Sequence, residues 1–331
     1  MIPAVVFEQT LRGFLSPVVT QLDDPSVTEV LINGPNDIFV ERKGKLSRLE
    51  AKFKSADALM SALRVIAQYV GRPLDDAHPI LEGRLPDGSR VEVLLPPVAP
   101  DGPSVAIRRF SKDKLTLAKL LEFGALTKDA VDTLNAFIAC KQNIVVAGGT
   151  GSGKTSMLNA LSALIPDGER IVVIEDAREL QLKQDHVVQL EARPSDAKGK
   201  GAITIRDLFK ATLRMRPDRI VLGEIRGGEA LDLVQAMTSG HGGCLTTVHA
   251  TYPIDTLNRL ETMALMGGVE LPLSALRAQL ASAVDLIVQT ARFRDGRRKV
   301  THITEVVGVD PVHGYRLKDL FAFAPESSAS G

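Results

Sequence analysis

Two rhythms of apolar and polar positions divide the chain. Through residues 1–109, short runs rich in β-branched residues (Thr28–Asn33, Ile38–Glu41, Arg90–Leu95) alternate with helical periodicity, bounded by turn signals at Asn33-Gly34-Pro35 and Asp87-Gly88. Leu59, Leu63, Ile66 and Val70 recur at steps of four, three and four, which predicts one apolar helix stripe with Ser55 as its cap. This part reads as α+β. Farther on the pattern changes to near-continuous apolar runs at Asn143–Ala147, Ile171–Ile174, Ile220–Leu222 and Leu245–Val248, separated by helical stretches at Ser156–Leu164, Leu208–Leu213 and Glu229–Met237. Strands apolar on both faces and separated by helices predict a mainly parallel sheet covered on both sides.

The stretch Pro96–Pro103 has the composition of a linker, but Val105–Ile107 resumes a strand pattern after it. The boundary is therefore expected later, where Ser-Lys-Asp-Lys precedes a helical run. The expected organisation is an N-terminal α+β domain at 1–109, a linker at 110–116, an α/β domain at 117–324 and a disordered tail at 325–331. A length of 331 residues suits two domains of roughly 100 to 200 residues each.

Composition narrows the function. Lys plus Arg and Asp plus Glu both total 40, so no global field draws the chain to nucleic acid or anionic lipid. Aromatic residues make up 4%, which leaves few platforms for stacking bases, and direct nucleic-acid binding is not favoured. Two cysteines cannot build a disulfide framework and fit a reducing compartment. No run approaches the roughly 18 apolar residues of a membrane span. The apolar start Ile2–Phe7 is cut short by Glu8, unlike a secretory signal, so a cytoplasmic address is expected.

The strongest chemical signal follows the Asn143–Ala147 run. Gly148-Gly149-Thr150-Gly151-Ser152-Gly153-Lys154-Thr155 lies between a strand pattern and a helical run, the context that makes a P-loop. The glycines let backbone N–H groups curl around phosphate, and the helix presents its positive end to the same anion. Lys154 is expected on the β- and γ-phosphates of ATP, and the Thr155 hydroxyl on Mg²⁺.

Two carboxylate clusters, Glu175-Asp176 and Gly223-Glu224, end buried-looking strands, where ligands gather in open α/β sheets. Glu224 is the candidate to orient or deprotonate water. Many P-loop proteins carry aspartate where Gly223 stands, so Mg²⁺ would lean on Thr155, phosphates, water and Glu175. His241 and His249 flank the strand containing Cys244, and singly each reads as an ordinary loop histidine. Arg90, Arg108 and Arg109 lie outside the nucleotide domain. By residue type they are surface charge, yet a γ-phosphate needs a positive side chain delivered on closure.

Taken in order, GGTGSGKT, VVIEDAREL, LRMRPDRIVLGEIRG and SGHGGCLTTVHA resemble the Walker A, Asp-box, Walker B and His-box segments of the type II/type IV secretion ATPase superfamily. SVTEVLINGP, GSRVEVLLPPVAPDGPSVAIRRF and LASAVDLIVQ look closest to its CpaF-type pilus-assembly branch. The resemblance runs from about Leu22 to Gly308. It implies a RecA-like P-loop NTPase core preceded by a smaller α+β domain, a cytoplasmic hexameric ring, and Mg²⁺-dependent ATP hydrolysis. That hydrolysis would be coupled to pilus assembly or secretion through an inner-membrane platform, with peripheral membrane association through partners. It further implies Glu224 as general base, Glu175 as the Asp-box carboxylate, His249 as the His-box residue, and Arg90 and Arg108 as γ-phosphate sensors. The rival reading is a ring NTPase that translocates nucleic acid, as in conjugation, against which neutral charge and scarce aromatics weigh.

Overall fold

A computed structural model describes residues 4–42, 44–110, 115–195, 199–310 and 312–323. Its contacts group the chain into two units, one drawn from Met1–Asp113 and Asp196–Lys200, the other from Lys114–Ser195 and Gly201–Gly331. Residues 111–114 of the expected linker and the expected tail 325–331 lie outside the described residues.

The first unit contains β1 (Val27–Asn33), β2 (Asp37–Arg42), β3 (Lys45–Arg48), β4 (Ile80–Arg84), β5 (Arg90–Leu94) and β6 (Ser104–Arg108). They form an antiparallel sheet in the order β3-β2-β1-β6-β5-β4. Alternation along the strands sends Val30, Ile32, Val91, Val93, Val105 and Ile107 to one face. There they pack with Leu59, Leu63 and Ile66 of helix Ala56–Val70 and with Phe7 and Leu11 of helix Ala4–Phe14. Ser55 Oγ accepts from the Ala58 amide at 3.1 Å, the expected cap. The proline-rich stretch 96–103 is the loop joining the neighbouring strands β5 and β6.

In the second unit, β7 (Ile144–Gly148), β8 (Ile171–Glu175), β9 (Val187–Glu191), β10 (Arg219–Leu222), β11 (Leu245–Val248), β12 (Leu286–Arg292), β13 (Arg298–Asp310) and β14 (Gly314–Ala322) form one sheet in the order β14-β13-β12-β7-β11-β10-β8-β9. Strands β12 to β9 in that order are parallel, while β13 and β14 add antiparallel neighbours at one side.

The central strands β7, β8, β10 and β11 are buried along their whole length. Their period of two splits them between two cores. Val145, Ala147, Val172, Ile174, Ile220 and Leu222 pack with helices Ile205–Thr212, Glu229–Thr238, Pro253–Leu265 and Leu273–Ala283. Ile144, Val146, Ile171, Val173, Val221 and Leu245 pack with Lys128–Ala139 and Lys154–Ser162. This is the α/β class that the apolar runs predict.

A fully buried guanidinium anchors one of the ion pairs of this unit. The Arg219 side chain is 0% exposed, and its Nε donates to Glu169 Oε2 at 2.5 Å. Its Nη2 donates to the Ile138 carbonyl at 2.7 Å. Removing one partner of such a pair strands the other, at about 3 kcal/mol, whereas removing both avoids that penalty. Arg219→Met is therefore expected to lower the unfolding midpoint in urea clearly. Arg219→Met combined with Glu169→Gln is expected to recover part of the loss. An additive double variant would show that the two groups are not coupled.

Candidate functional site

Parallel strands deliver their carboxyl ends to one edge of the sheet, and the candidate residues collect there. β7 runs directly into the glycine loop and helix Lys154–Ser162. A Cβ on Gly148 would come within 2.4 Å of both Ser152 Oγ and Thr290 Oγ1, so only glycine permits this approach. Ser152 is buried, its hydroxyl lies 2.9 Å from Thr290 Oγ1, and Thr290 donates to the Ala147 carbonyl at 2.9 Å. Strand β12 thereby braces the loop from within the sheet. The helix begins at Gly153 with no capping side chain, leaving its first amides to the loop. Lys154 Nζ reaches back to the Gly149 carbonyl at 3.2 Å, Gly149 and Thr150 are exposed, and Thr155 is half-buried.

The acidic candidates stand on neighbouring strands. Glu175, the last residue of β8, is buried, and its Oε1 accepts from the amides of Glu179 and Leu180 at 2.9 Å each. It fills the space beside Gly223, where an added Cβ would meet Glu175 Cγ at 3.0 Å. Gly223 is fixed on both sides, donating to the Ile174 carbonyl at 2.8 Å and accepting from Thr247 Oγ1 at 2.7 Å. That anchorage aims Glu224.

The carboxylate of Glu224 is held at both oxygens. Oε1 lies 2.8 Å from His249 Nε2, and Oε2 meets Arg226 at 2.5 and 2.6 Å. Arg226 also reaches Asp176 at 3.2 Å, and Lys154 Nζ lies 3.4 Å from each ring nitrogen of His249. A continuous chain of polar contacts thus runs from Asp176 through Arg226, Glu224 and His249 to the P-loop lysine. Burial first, then the Lys154 charge, pushes the His249 pKa below its ordinary value, against the opposing pull of Glu224. The neutral ring at pH 7 fits the network with Nε2–H donating to Glu224 and Nδ1 left as the acceptor, 3.4 Å from the ammonium.

His241 precedes β11 and so stands at the opposite end of that strand from His249, where its carbonyl accepts from the Cys244 thiol at 3.1 Å. Burial pushes that thiol up to about 12, so it packs and does not react.

The first unit holds the remaining candidates. Register pairs Arg84 with Arg90, Arg90 with Arg108 and Arg108 with Glu29 across β4, β5, β6 and β1. The row lies on the face away from the buried valines and isoleucines. Glu29 pairs with Arg108 at 3.5 Å. Arg109 has a different part: its Nη1 donates to the carbonyls of Asp24 and Val27, the latter at 2.8 Å, tying β6 to the start of β1.

Sequence reasoning missed Arg226, Thr290 and Arg84. Arg226 carried a usable signal, a cation two positions after the candidate base. Arg84 shows itself only once strand register puts it beside Arg90.

Comparison with known proteins places the chain in a family. The profile of the family described as type II/IV secretion system protein matches residues 14–307. A putative conjugal transfer protein of Mycobacterium tuberculosis is 37% identical over 302 residues, covering 89% of this chain and 84% of its own length. The type IV secretion system protein VirB11 of Bartonella quintana is 35% identical over 328 residues, covering 87% and 91% respectively. Among solved structures, the Legionella pneumophila ATPase DotB shares the fold, with a TM-score of 0.61 at 18% identity over 87% of this chain and 79% of that one. The chain belongs to the type II/IV secretion system protein family, as a P-loop ATPase with a RecA-like core.

Proposed function

We propose that Gly148–Thr155 hold the phosphates of ATP and that Glu224 accepts the proton of the attacking water. The observation that carries this reading is the Glu224 carboxylate, 2.8 Å from a histidine that itself touches the P-loop lysine. Both oxygens of Glu224 are engaged, Oε1 by His249 alone, so a water would take the lone pair left on Oε1 beside the histidine. Phosphate charge arriving at Lys154 competes for the ammonium beside His249 and so loosens the contact between that ring and the base. Thr155 and Glu175 offer a hydroxyl and a carboxylate, an all-oxygen pair that suits Mg²⁺. The metal would neutralise charge on the phosphates. Arg90 and Arg108 are read as the cations that meet the γ-phosphate, with Arg84 extending their row.

The motor built on this hydrolysis is proposed to be a hexameric ring. It would couple turnover to pilus assembly or protein secretion through an inner-membrane platform and associate with the membrane peripherally. Among the described residues no helix is long and apolar enough to cross a membrane. A CpaF-type pilus role rests on the three segments quoted for that branch. A role in conjugative transfer is the second reading, favoured by relatives named as conjugal transfer proteins.

Glu224→Gln is expected to keep ATP affinity while turnover falls by about 10²-fold or more, and Lys154→Ala to lose tight binding. Phosphate release and a fluorescent-nucleotide titration check both, and near-normal turnover in Glu224→Gln removes that residue from the base role.

His249 is expected to titrate below 6.5, the ordinary imidazole value, in an NMR titration assigned with His249→Asn. The unfolded chain then binds this proton more readily than the folded one. The stability associated with neutral His249 is present above the unfolded value of about 6.5 and is lost as the pH falls below it, through the lower value of the folded chain.

Arg108→Ala is expected to cost about 10³-fold or more in turnover with ADP affinity nearly unchanged, because its partner is the transferred phosphoryl group. Wild-type turnover would return Arg108 to surface charge.

A further inference from the structure

The hairpin joining β12 to β13 is unusually cationic and lies against the P-loop. Residues 292–299 carry Arg292, Arg294, Arg297, Arg298 and Lys299 against the single carboxylate of Asp295. Asp295 pairs with its neighbour Arg297 at 2.5 Å, and Lys299 donates to the Gly124 carbonyl at 3.0 Å. Arg292 and Arg298 turn the other way. Arg298 Nε donates to the Gly151 carbonyl at 2.8 Å, and Arg292 Nη1 lies 3.3 Å from where a Cβ of Gly151 would stand. The two arginines occupy directly opposed positions in the antiparallel ladder. Like charges directly opposed across strands repel, so an anion placed near both guanidinium groups is favoured there.

The hydrogen bond from Arg298 also sets an orientation. In a trans peptide the carbonyl of Gly151 and the N–H of Ser152 point in opposite directions, so pulling the carbonyl outward turns the amide into the loop. There it makes a long 3.3 Å contact with the Gly149 carbonyl, the same oxygen that Lys154 Nζ approaches at 3.2 Å. A phosphate oxygen is a stronger acceptor for both donors.

We propose that this hairpin is the outer wall of the nucleotide site: Arg298 is a positioning residue that aims the Ser152 amide, and Arg292 supplies charge to the phosphate chain of the bound nucleotide. The inference rests on the P-loop reading above and adds to it a second element that reads the phosphates. Hydrogen bonds to charged groups contribute enough for about ten- to a hundredfold in affinity, and exposure of both side chains reduces this toward the lower figure.

The test is titration of the full-length protein with a fluorescent ADP analogue at low and at high salt, beside steady-state ATPase kinetics. Arg292→Gln with Arg298→Gln is expected to weaken ADP binding by about tenfold at low salt and by much less at high salt, since the lost interaction is screened. The defect should fall on KM more than on kcat. Arg292→Lys and Arg298→Lys keep the charge and are expected to restore most of the low-salt affinity. They also serve as the readout if the Gln pair fails to fold by circular dichroism.

Unchanged ADP affinity in the double variant overturns the proposal. So does a loss of equal size at both salt concentrations, a loss confined to kcat, or a loss in the folded Lys variants as large as in the Gln pair. Wild type and Lys154→Ala run in the same titration keep the two readings apart. If wild type binds, Lys154→Ala does not, and the arginine variants bind normally, the P-loop reading stands and the hairpin proposal falls. If wild type fails to bind, both fall.

Discussion

Burial of the central strands on both faces is the constraint on which the rest depends. β7, β8, β10 and β11 have no solvent-facing side along which to carry polar groups. Chemistry is thereby confined to the ends of the strands, and parallel direction gathers those ends at one edge. The glycine loop, Glu175, Glu224, His249 and Thr290 are far apart in sequence and meet because the sheet admits them nowhere else. Backbone anchorage then does the fine positioning. Gly223 is bonded to the strands on either side of β10, so the residue after it has little freedom in where it points.

Electrostatics at that edge is a matter of alternation. Asp176, Arg226, Glu224, His249 and Lys154 form a line in which each acid is flanked by donors, with the histidine neutral by virtue of burial and the nearby ammonium. Such a line is sensitive to any added charge at either end, because each member's favourable position depends on its neighbour's. In the proposed function, a triphosphate arriving at Lys154 would change the balance for the whole line, Glu224 included. The contacts that would carry that coupling lie within one unit.

Much of this was legible in the amino-acid order. The apolar runs at Ile171–Ile174 and Ile220–Leu222 announced buried strands, Ser55 announced its helix, and the glycine loop announced the turn from β7 into helix Lys154–Ser162. The antiparallel strands β13 and β14 were not legible, because β13 begins with Arg298 and Lys299, shifts register twice against β14 and buries only scattered positions. The helix Ala4–Phe14 hid behind a start that was weighed as a targeting signal. Side-chain partnerships were harder still. Nothing in the spacing of Arg226, Thr290 or Arg298 says which carbonyl or carboxylate each will find, since those contacts are made across strands that only tertiary structure brings together.

The close approach of Gly223 to Glu175 makes two positions 48 residues apart compete for one volume. An acid added at position 223 would crowd the one already carried by β8, and Glu175 would have to give by a few tenths of an ångström to admit it. Room for a carboxylate is thus shared between two strands, and the bareness of one lets the other carry its acid undisturbed.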